Sequence, residues 1–140
     1  MTPDVASRSD PRLDPARDVR VMVVEDQQLF RCVIRELLAA TDGFQLSGEA
    51  CSGEEALAAL DEWMPELVVI DARLPGMTGL QAATALLRRR PELVVLLISA
   101  NELTETVGRG PAGQSIAFVP KAKLRTSVLR DVWDRRGAAN

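Results

Sequence analysis

Four short apolar runs, each followed by a residue able to carry charge or hydrogen-bond, constrain this chain more than any other feature. Val21-Met22-Val23-Val24 runs into Glu25 and Asp26, and Leu67-Val68-Val69-Ile70 runs into Asp71. Leu93 to Ile98 leads into Ser99, and Ile116 to Val119 leads through Pro120 into Lys121. Continuous apolar runs of this length suit strands buried on both faces, the kind found in parallel sheets covered by helices. Phe44 to Ala50 alternates instead, as a weaker strand near a sheet edge would.

Helical periods fill the gaps. Leu29, Phe30, Val33, Ile34, Leu37 and Leu38 form one apolar stripe. Ser52 and Glu55 make a capping box ahead of a helix with Ala56, Leu57, Leu60, Trp63 and Met64 expected inward and Pro65 closing it. A further helix is expected over Leu80 to Arg90. Arg88, Arg89 and Arg90 form its solvated last turn, where cations suit the helix dipole, and Pro91 stops it. Leu124, Val128, Leu129, Val132 and Trp133 mark a final amphipathic helix, with Gly137 as its stop.

Five strand–helix alternations imply an α/β domain, doubly wound, with a parallel sheet and helices on both faces, because each crossover needs a helix. The fourth helix is the exception. Asn101 to Val107 is followed by Gly108, Gly110, Pro111 and Gly113. Glycine costs about 1 kcal/mol and proline about 3 kcal/mol in a helix interior. A short helix ending near Val107 and then a mobile loop, with residues 104–115 poorly protected, is the expectation. Residues 1–19 hold three prolines, four aspartates and three arginines and read as a flexible N-terminal tail. The folded unit is expected over 20–136, with 137–140 either the C-terminal end or the start of a linker.

Composition removes several chemistries from this chain. It has no histidine, so it offers no His-ligated zinc site, no Ser-His-Asp set and no phosphohistidine of its own. Cys32 and Cys51 form no CxxC and suggest no disulfide framework, which favours a reducing, cytoplasmic setting. A net charge of −3 gives no reason to expect direct nucleic-acid binding. No apolar run reaches the roughly 18 residues of a membrane span. Neither GxGxxG nor GxxxxGK[ST] occurs.

In open parallel sheets, ligands sit beyond the carboxyl ends of the strands. That rim should gather Glu25, Asp26, Asp71, Ser99 and Lys121. Each alone has a bland explanation: a helix cap, a turn serine, a surface lysine. Their joint placement argues otherwise. Clustered carboxylates repel, and a hard divalent cation such as Mg²⁺ removes that cost through oxygen ligands. Lys121 adds a point charge and Ser99 a donor, which together suit a phosphoryl group beside a carboxylate.

The stretches Val23-Val24-Glu25-Asp26, Asp71-Ala72-Arg73-Leu74-Pro75-Gly76-Met77-Thr78-Gly79, Ile98-Ser99-Ala100 and Phe118-Val119-Pro120-Lys121 resemble the four signatures of the CheY-like receiver domain of response regulators. The resemblance spans about Arg20 to Arg136. Gln28-Leu29-Phe30-Arg31 and Leu74-Pro75-Gly76-Met77 are most similar to the branch usually fused to a helix-turn-helix output domain and acting in transcription regulation.

That resemblance implies a flavodoxin-like (βα)5 fold with five parallel strands in the order 2-1-3-4-5. It implies Asp71 as phosphoacceptor, with Mg²⁺ held by Glu25, Asp26, Asp71 and the backbone carbonyl of Arg73. Ser99 and Lys121 would contact the phosphoryl group, and Phe118 stands where the family keeps a switch aromatic, though a plain core role suits it equally. Arg73 and Asn101 occupy positions that influence acyl-phosphate hydrolysis. The implied partners are a sensor histidine kinase, an output domain or partner protein, and a second copy in a homodimer. The only catalysis implied is the domain's own phosphoryl transfer and autodephosphorylation. An atypical receiver that binds partners without phosphorylation is the alternative. An aspartyl-phosphate hydrolase is disfavoured, because Arg73 stands where such enzymes carry a second acid.

Overall fold

The computed structural model describes residues 18–100 and 108–136. Expectations for the tail before Asp18, the short helix over 101–107 with Asn101, and the terminus with Gly137 lie outside the described residues. The elements are β1 (Val19–Val24), α1 (Gln28–Ala39), β2 (Phe44–Ala50), α2 (Gly53–Trp63), β3 (Leu67–Asp71) and α3 (Gly79–Arg89). They continue with β4 (Val94–Ser99), β5 (Gly108–Arg109), β6 (Ser115–Pro120), a 3₁₀ turn (Lys121–Lys123) and α4 (Thr126–Asp134).

The sheet runs β2-β1-β3-β4-β6-β5. Every pairing from β2 to β6 is parallel, as each strand is reached through a crossover. The period of two along the strands splits the core into two layers. Met22, Val24, Val68, Ile70, Val95 and Leu97 meet Ala56 and Leu60 of α2 and Ala83, Leu86 and Leu87 of α3. Val21, Val23, Leu67, Val69, Leu96 and Ile98 face the other way, onto Ile34 and Leu38 of α1 and Leu129 of α4. The doubly wound architecture expected from the alternation is present.

The structure corrects several details. Val19 belongs to β1 and not to the tail. Its N–H donates to the Gly43 carbonyl at 2.7 Å and its side chain joins the α1/α4 layer. The sheet has six strands among the described residues, not five. The glycine-rich stretch expected as a loop forms a hairpin, with Gly108 and Arg109 antiparallel to Ile116 and Ser115. Gly110 N–H donates to the Gln114 carbonyl at 2.8 Å, and Gly113 turns the chain at φ +83°. The residues that forbid a long helix there supply the turn.

Three apolar residues expected inward are not. Leu29 and Val33 of α1 are 79% and 48% exposed, and Met64 is 39% exposed. The sheet covers only the Ile34–Leu38 side of the α1 stripe. Met64 caps α2 in a left-handed conformation at φ 47°, which turns its side chain away from the core.

Local chemistry fixes the helices that frame the rim. Ser52 Oγ accepts from Glu55 N–H at 3.1 Å, but the Glu55 carboxylate accepts from Cys51 N–H at 2.7 Å, one residue before the position a standard capping box uses. Thr78 and Gln81 complete a full box at α3 that the sequence reading did not include. The arginine run at the end of α3 is not merely solvated. Arg89 donates to the Leu57 carbonyl at 2.8 Å and pairs with Asp61, as does Arg90. These contacts tie α3 to α2.

Candidate functional site

β1, β3, β4 and β6 end at one rim, because their registers are continuous across the sheet: Val24 lies opposite Ile70, Asp71 opposite Ile98, and Ser99 opposite Pro120. Asp71 therefore closes a strand that lies between β1, which delivers Glu25 and Asp26, and β4, which delivers Ser99. Lys121 begins the 3₁₀ turn directly after β6.

Gly79 brings α3 close to this rim. A Cβ there would stand 2.7 Å from Ala72 Cα and closer still to the Asp71 carbonyl oxygen. The Gly79 N–H donates to the Ala72 carbonyl at 3.1 Å. The spacing from Asp71 through Pro75 to Gly79 is thus the length of a loop that returns to its own strand end.

Glu25 is fully buried, Asp71 and Ser99 nearly so, and Asp26 is exposed. Carboxylate oxygens of Glu25, Asp26 and Asp71 lie within 4.8 Å of one another. Lys121 Nζ donates to Asp71 Oδ2 at 3.1 Å and lies 3.0 Å from Glu25 Oε1. The latter contact is an ion pair to the fully buried Glu25 carboxylate. Arg73 N–H donates to Asp71 Oδ1 at 2.9 Å, and Gln27 N–H to Glu25 Oε2 at 3.1 Å.

These environments act on charge. Burial pushes the Glu25 carboxyl above its ordinary range, and the nearby Asp71 adds to this, against the opposing pull of the Gln27 amide and Lys121. Burial alone would lower the Lys121 ammonium, but its contacts with Glu25 and Asp71 outweigh that and hold it above its usual value. The site couples one ammonium to two buried carboxyl groups, with a third carboxylate at the solvent edge. Its donor set is all oxygen, which suits a hard divalent cation.

All of Glu25, Asp26, Asp71, Ser99 and Lys121 reach the rim as expected. Phe118 does not join them. It is partly buried and packs on the α2/α3 layer, opposite Leu97 of β4. The Arg73 side chain is exposed, and its backbone amide is what touches Asp71.

Two residues of α1 at the site were not singled out as site residues by the sequence. The Arg31 guanidinium donates to the carbonyls of Glu25 at 3.0 Å and Asp26 at 3.3 Å, and reaches Glu49 at 3.4 Å. The Phe30 ring lies under Lys121, its centroid 4.5 Å from Nζ. Their position four and five residues after Asp26, within the first turns of a helix that begins at the rim, is the only signal the sequence holds for them.

Comparison with known proteins agrees with this geometry. Residues 21–129 match the family described as the response regulator receiver domain. The response regulator GacA of Pseudomonas viridiflava is 42% identical over 84 residues, which cover 60% of this chain and 39% of GacA. The transcriptional regulatory protein NarL of Mycobacterium tuberculosis is 33% identical over 116 residues, covering 83% of this chain and 54% of NarL. The chain thus spans about two fifths to one half of the length of these curated relatives. The solved signal receiver domain of the M. tuberculosis NarL response regulator superposes with a TM-score of 0.67 at 32% identity, covering 84% of this chain and 95% of that one. Among the described residues no helix is long and apolar enough to cross a membrane. The match over most of its length makes this chain a member of the response regulator receiver domain family, the phosphoryl-accepting modules of two-component signalling.

Proposed function

We propose that Asp71 accepts a phosphoryl group from a sensor histidine kinase and that the rim around it performs the transfer. The observation that carries this reading is the Lys121 ammonium, which donates to Asp71 Oδ2 at 3.1 Å and lies 3.0 Å from the buried Glu25 Oε1. An Asp71 carboxylate oxygen attacks phosphorus, the phosphorus–nitrogen bond to the donor's imidazole breaks, and an acyl phosphate forms. A carboxylate needs no base to remove a proton first, which fits a chain without histidine.

Glu25, Asp26, Asp71 and the Arg73 carbonyl would hold Mg²⁺. That ion neutralises charge on the phosphoryl oxygens when bound. Lys121 supplies the second positive charge, and Arg73 N–H orients the Asp71 carboxylate. Ser99, on the neighbouring strand, would donate to a phosphoryl oxygen once Asp71 is modified, and Phe118 would respond to that movement from its place on the α2/α3 layer. Arg73 and Asn101 would set the lifetime of the acyl phosphate. The unit over 19–136 would act in the cytoplasm, passing its state to a helix-turn-helix output domain, a partner protein or a second copy, and through them to transcription.

Incubation with acetyl phosphate and Mg²⁺, followed by intact-mass measurement, tests the assignment. The wild type should gain one phosphoryl group, and Asp71→Asn should gain none while keeping its fold. Lys121→Ala should still accept the group but fail to change partner binding. A wild type that stays unmodified, and that gives no response to beryllofluoride with Mg²⁺, would leave only a phosphorylation-independent binding module.

A further inference from the structure

Lys121 has a third neighbour besides its two carboxylates. Its Nζ lies 3.0 Å from Glu25 Oε1, 3.1 Å from Asp71 Oδ2, and 4.5 Å from the centroid of the Phe30 ring. The ring is not placed by chance. Phe30 is the third residue of α1 and packs into the α1/α4 layer. The start of that helix is fixed by the Arg31 N–H on the Gln27 carbonyl at 3.0 Å and by the Arg31 guanidinium on the Glu25 and Asp26 carbonyls. The segment that presents the acidic pair therefore also sets the height of the ring beneath the ammonium.

The three partners differ in one respect. Glu25 and Asp71 offer oxygens that a divalent cation would engage, and phosphorylation would modify Asp71 itself, so both contacts to Lys121 would change. An aromatic face attracts an ammonium through its quadrupole but offers no oxygen to coordinate a hydrated divalent cation and no group to bond phosphorus. Lys121 is also largely shielded, its side chain only 13% exposed, where such an attraction is strongest.

We propose that Phe30 is a positioning residue for Lys121: its ring face retains the ammonium at the rim while Glu25 and Asp71 change partners, and so sets how tightly the site binds an anionic phosphoryl group. This inference rests on the reading of Lys121 as the phosphoryl contact. Phe30 touches no reacting atom and acts through Lys121.

Ring fluorination tests it on the full chain, since each fluorine weakens the face potential while leaving the shape of the side chain nearly unchanged. Phe30 is replaced by mono-, di- and trifluorophenylalanine, and separately by Leu and Tyr. Beryllofluoride affinity in saturating Mg²⁺ is measured beside the affinity for Mg²⁺ alone and the urea midpoint. Beryllofluoride binding should weaken stepwise along the fluorinated series, by roughly tenfold in total, the order expected for losing a shielded ring–ammonium contact. Phe30→Tyr should bind like the wild type, Phe30→Leu at least as weakly as the trifluoro variant, and Mg²⁺ affinity should stay within about twofold throughout. Equal beryllofluoride affinity across the fluorinated series overturns the proposal, and loss in Phe30→Leu alone would show packing as the cause.

A second readout separates this inference from the phosphoryl reading. Lys121 side-chain protons above the ring should carry an upfield ring-current shift in the NMR spectrum that disappears in Phe30→Leu. If the wild type binds no beryllofluoride but the shift is present, the phosphoryl reading fails while the ring–ammonium contact stands. If the shift is absent, the contact itself is refuted.

Discussion

Replacing Gly79 with Ala should damage both the fold and the site, although a helix ordinarily gains from that exchange. A methyl at Gly79 would lie 2.7 Å from Ala72 Cα and 2.9 Å from the Asp71 carbonyl carbon. Carbon atoms prefer about 3.5–4.0 Å, so the new group sits about 1 Å too close to backbone atoms that no rotamer can move aside. Either α3 slides away from the sheet or the Asp71–Ala72 peptide shifts. Forced overpacking of this kind costs about 1–3 kcal/mol and occasionally more. Against it stands a helix-propensity gain of up to about 1 kcal/mol, smaller at the first helical residue. The expected net loss is about 2 kcal/mol, which at an m-value of roughly 2 kcal/mol/M lowers the urea midpoint by about 1 M. Gly108→Ala is the control, because among the described residues its nearest contact is Ile116 Cβ at an ordinary 3.8 Å, and it should stay within about 0.5 kcal/mol of wild type. Beryllofluoride binding should weaken in Gly79→Ala and not in Gly108→Ala. A Gly79→Ala midpoint equal to or above wild type would refute the close-approach argument.

Thr78→Ala removes the hydroxyl half of the α3 capping box and should cost about 1 kcal/mol in urea unfolding, with phosphoryl acceptance retained. Hydrogen bonding from Arg35, chiefly, with Arg31 nearby, holds the Glu49 carboxyl below its ordinary range. A depressed folded value means this pairing stabilises fully above the unfolded value near 4.5 and is lost as pH falls through the lower folded one. Glu49→Gln should therefore lose up to about 1 kcal/mol at neutral pH, and its deficit against wild type in urea melts should close in acid. Lys121→Met strips the ammonium from buried Glu25 and Asp71, so the variant should unfold at a lower temperature in chelator. Mg²⁺ should stabilise it by more than it stabilises the wild type, approaching about 1.4 kcal/mol for each tenfold excess over Kd. Equal Mg²⁺ shifts in the two proteins would count against a shared charge at the rim.

How much of this was legible in the sequence follows from where each feature's information resides. The strands β1, β3, β4 and β6 and the residues at their ends were legible, because continuous apolar runs define buried strands and parallel topology forces their carboxyl ends together. The Arg73 amide on Asp71 was not, since every non-proline residue carries that donor and no letter marks its direction. Phe30 reads as part of the α1 stripe, and both it and Arg31 as part of the Gln28–Arg31 stretch that resembles one branch of the family, not as site residues. Their approach to the rim depends on the angle at which α1 leaves β1, which Arg31 itself helps to set. Leu29 and Val33 share the period of a core face, but the width of the sheet under α1 decides which part of that stripe is covered. Gly108, Gly110 and Gly113 correctly argued against a long helix. That they form a hairpin depends on two residues of pairing along β6, too short a signal for alternation to register. The spacing of the Thr78–Gln81 capping box is present in the letters, inside the stretch that the Asp71 loop signature already occupies.

The chain's preference for arginine gives the clamped ammonium a practical consequence. Lys121 and Lys123 are its two lysines, one only 13% exposed at the side chain between carboxylates and a ring, the other exposed at the end of the same 3₁₀ turn. An amine-acylating reagent, quantified by peptide mass spectrometry, would thus carry its own internal standard. At a fixed reagent dose Lys123 serves as the reference, and a change in the ratio of Lys121 to Lys123 reports a change in how firmly the rim holds its ammonium. A ligand or donor that changes the occupancy of the rim would register as a change in that ratio, in a cell extract as readily as with purified protein, without any label built into the molecule.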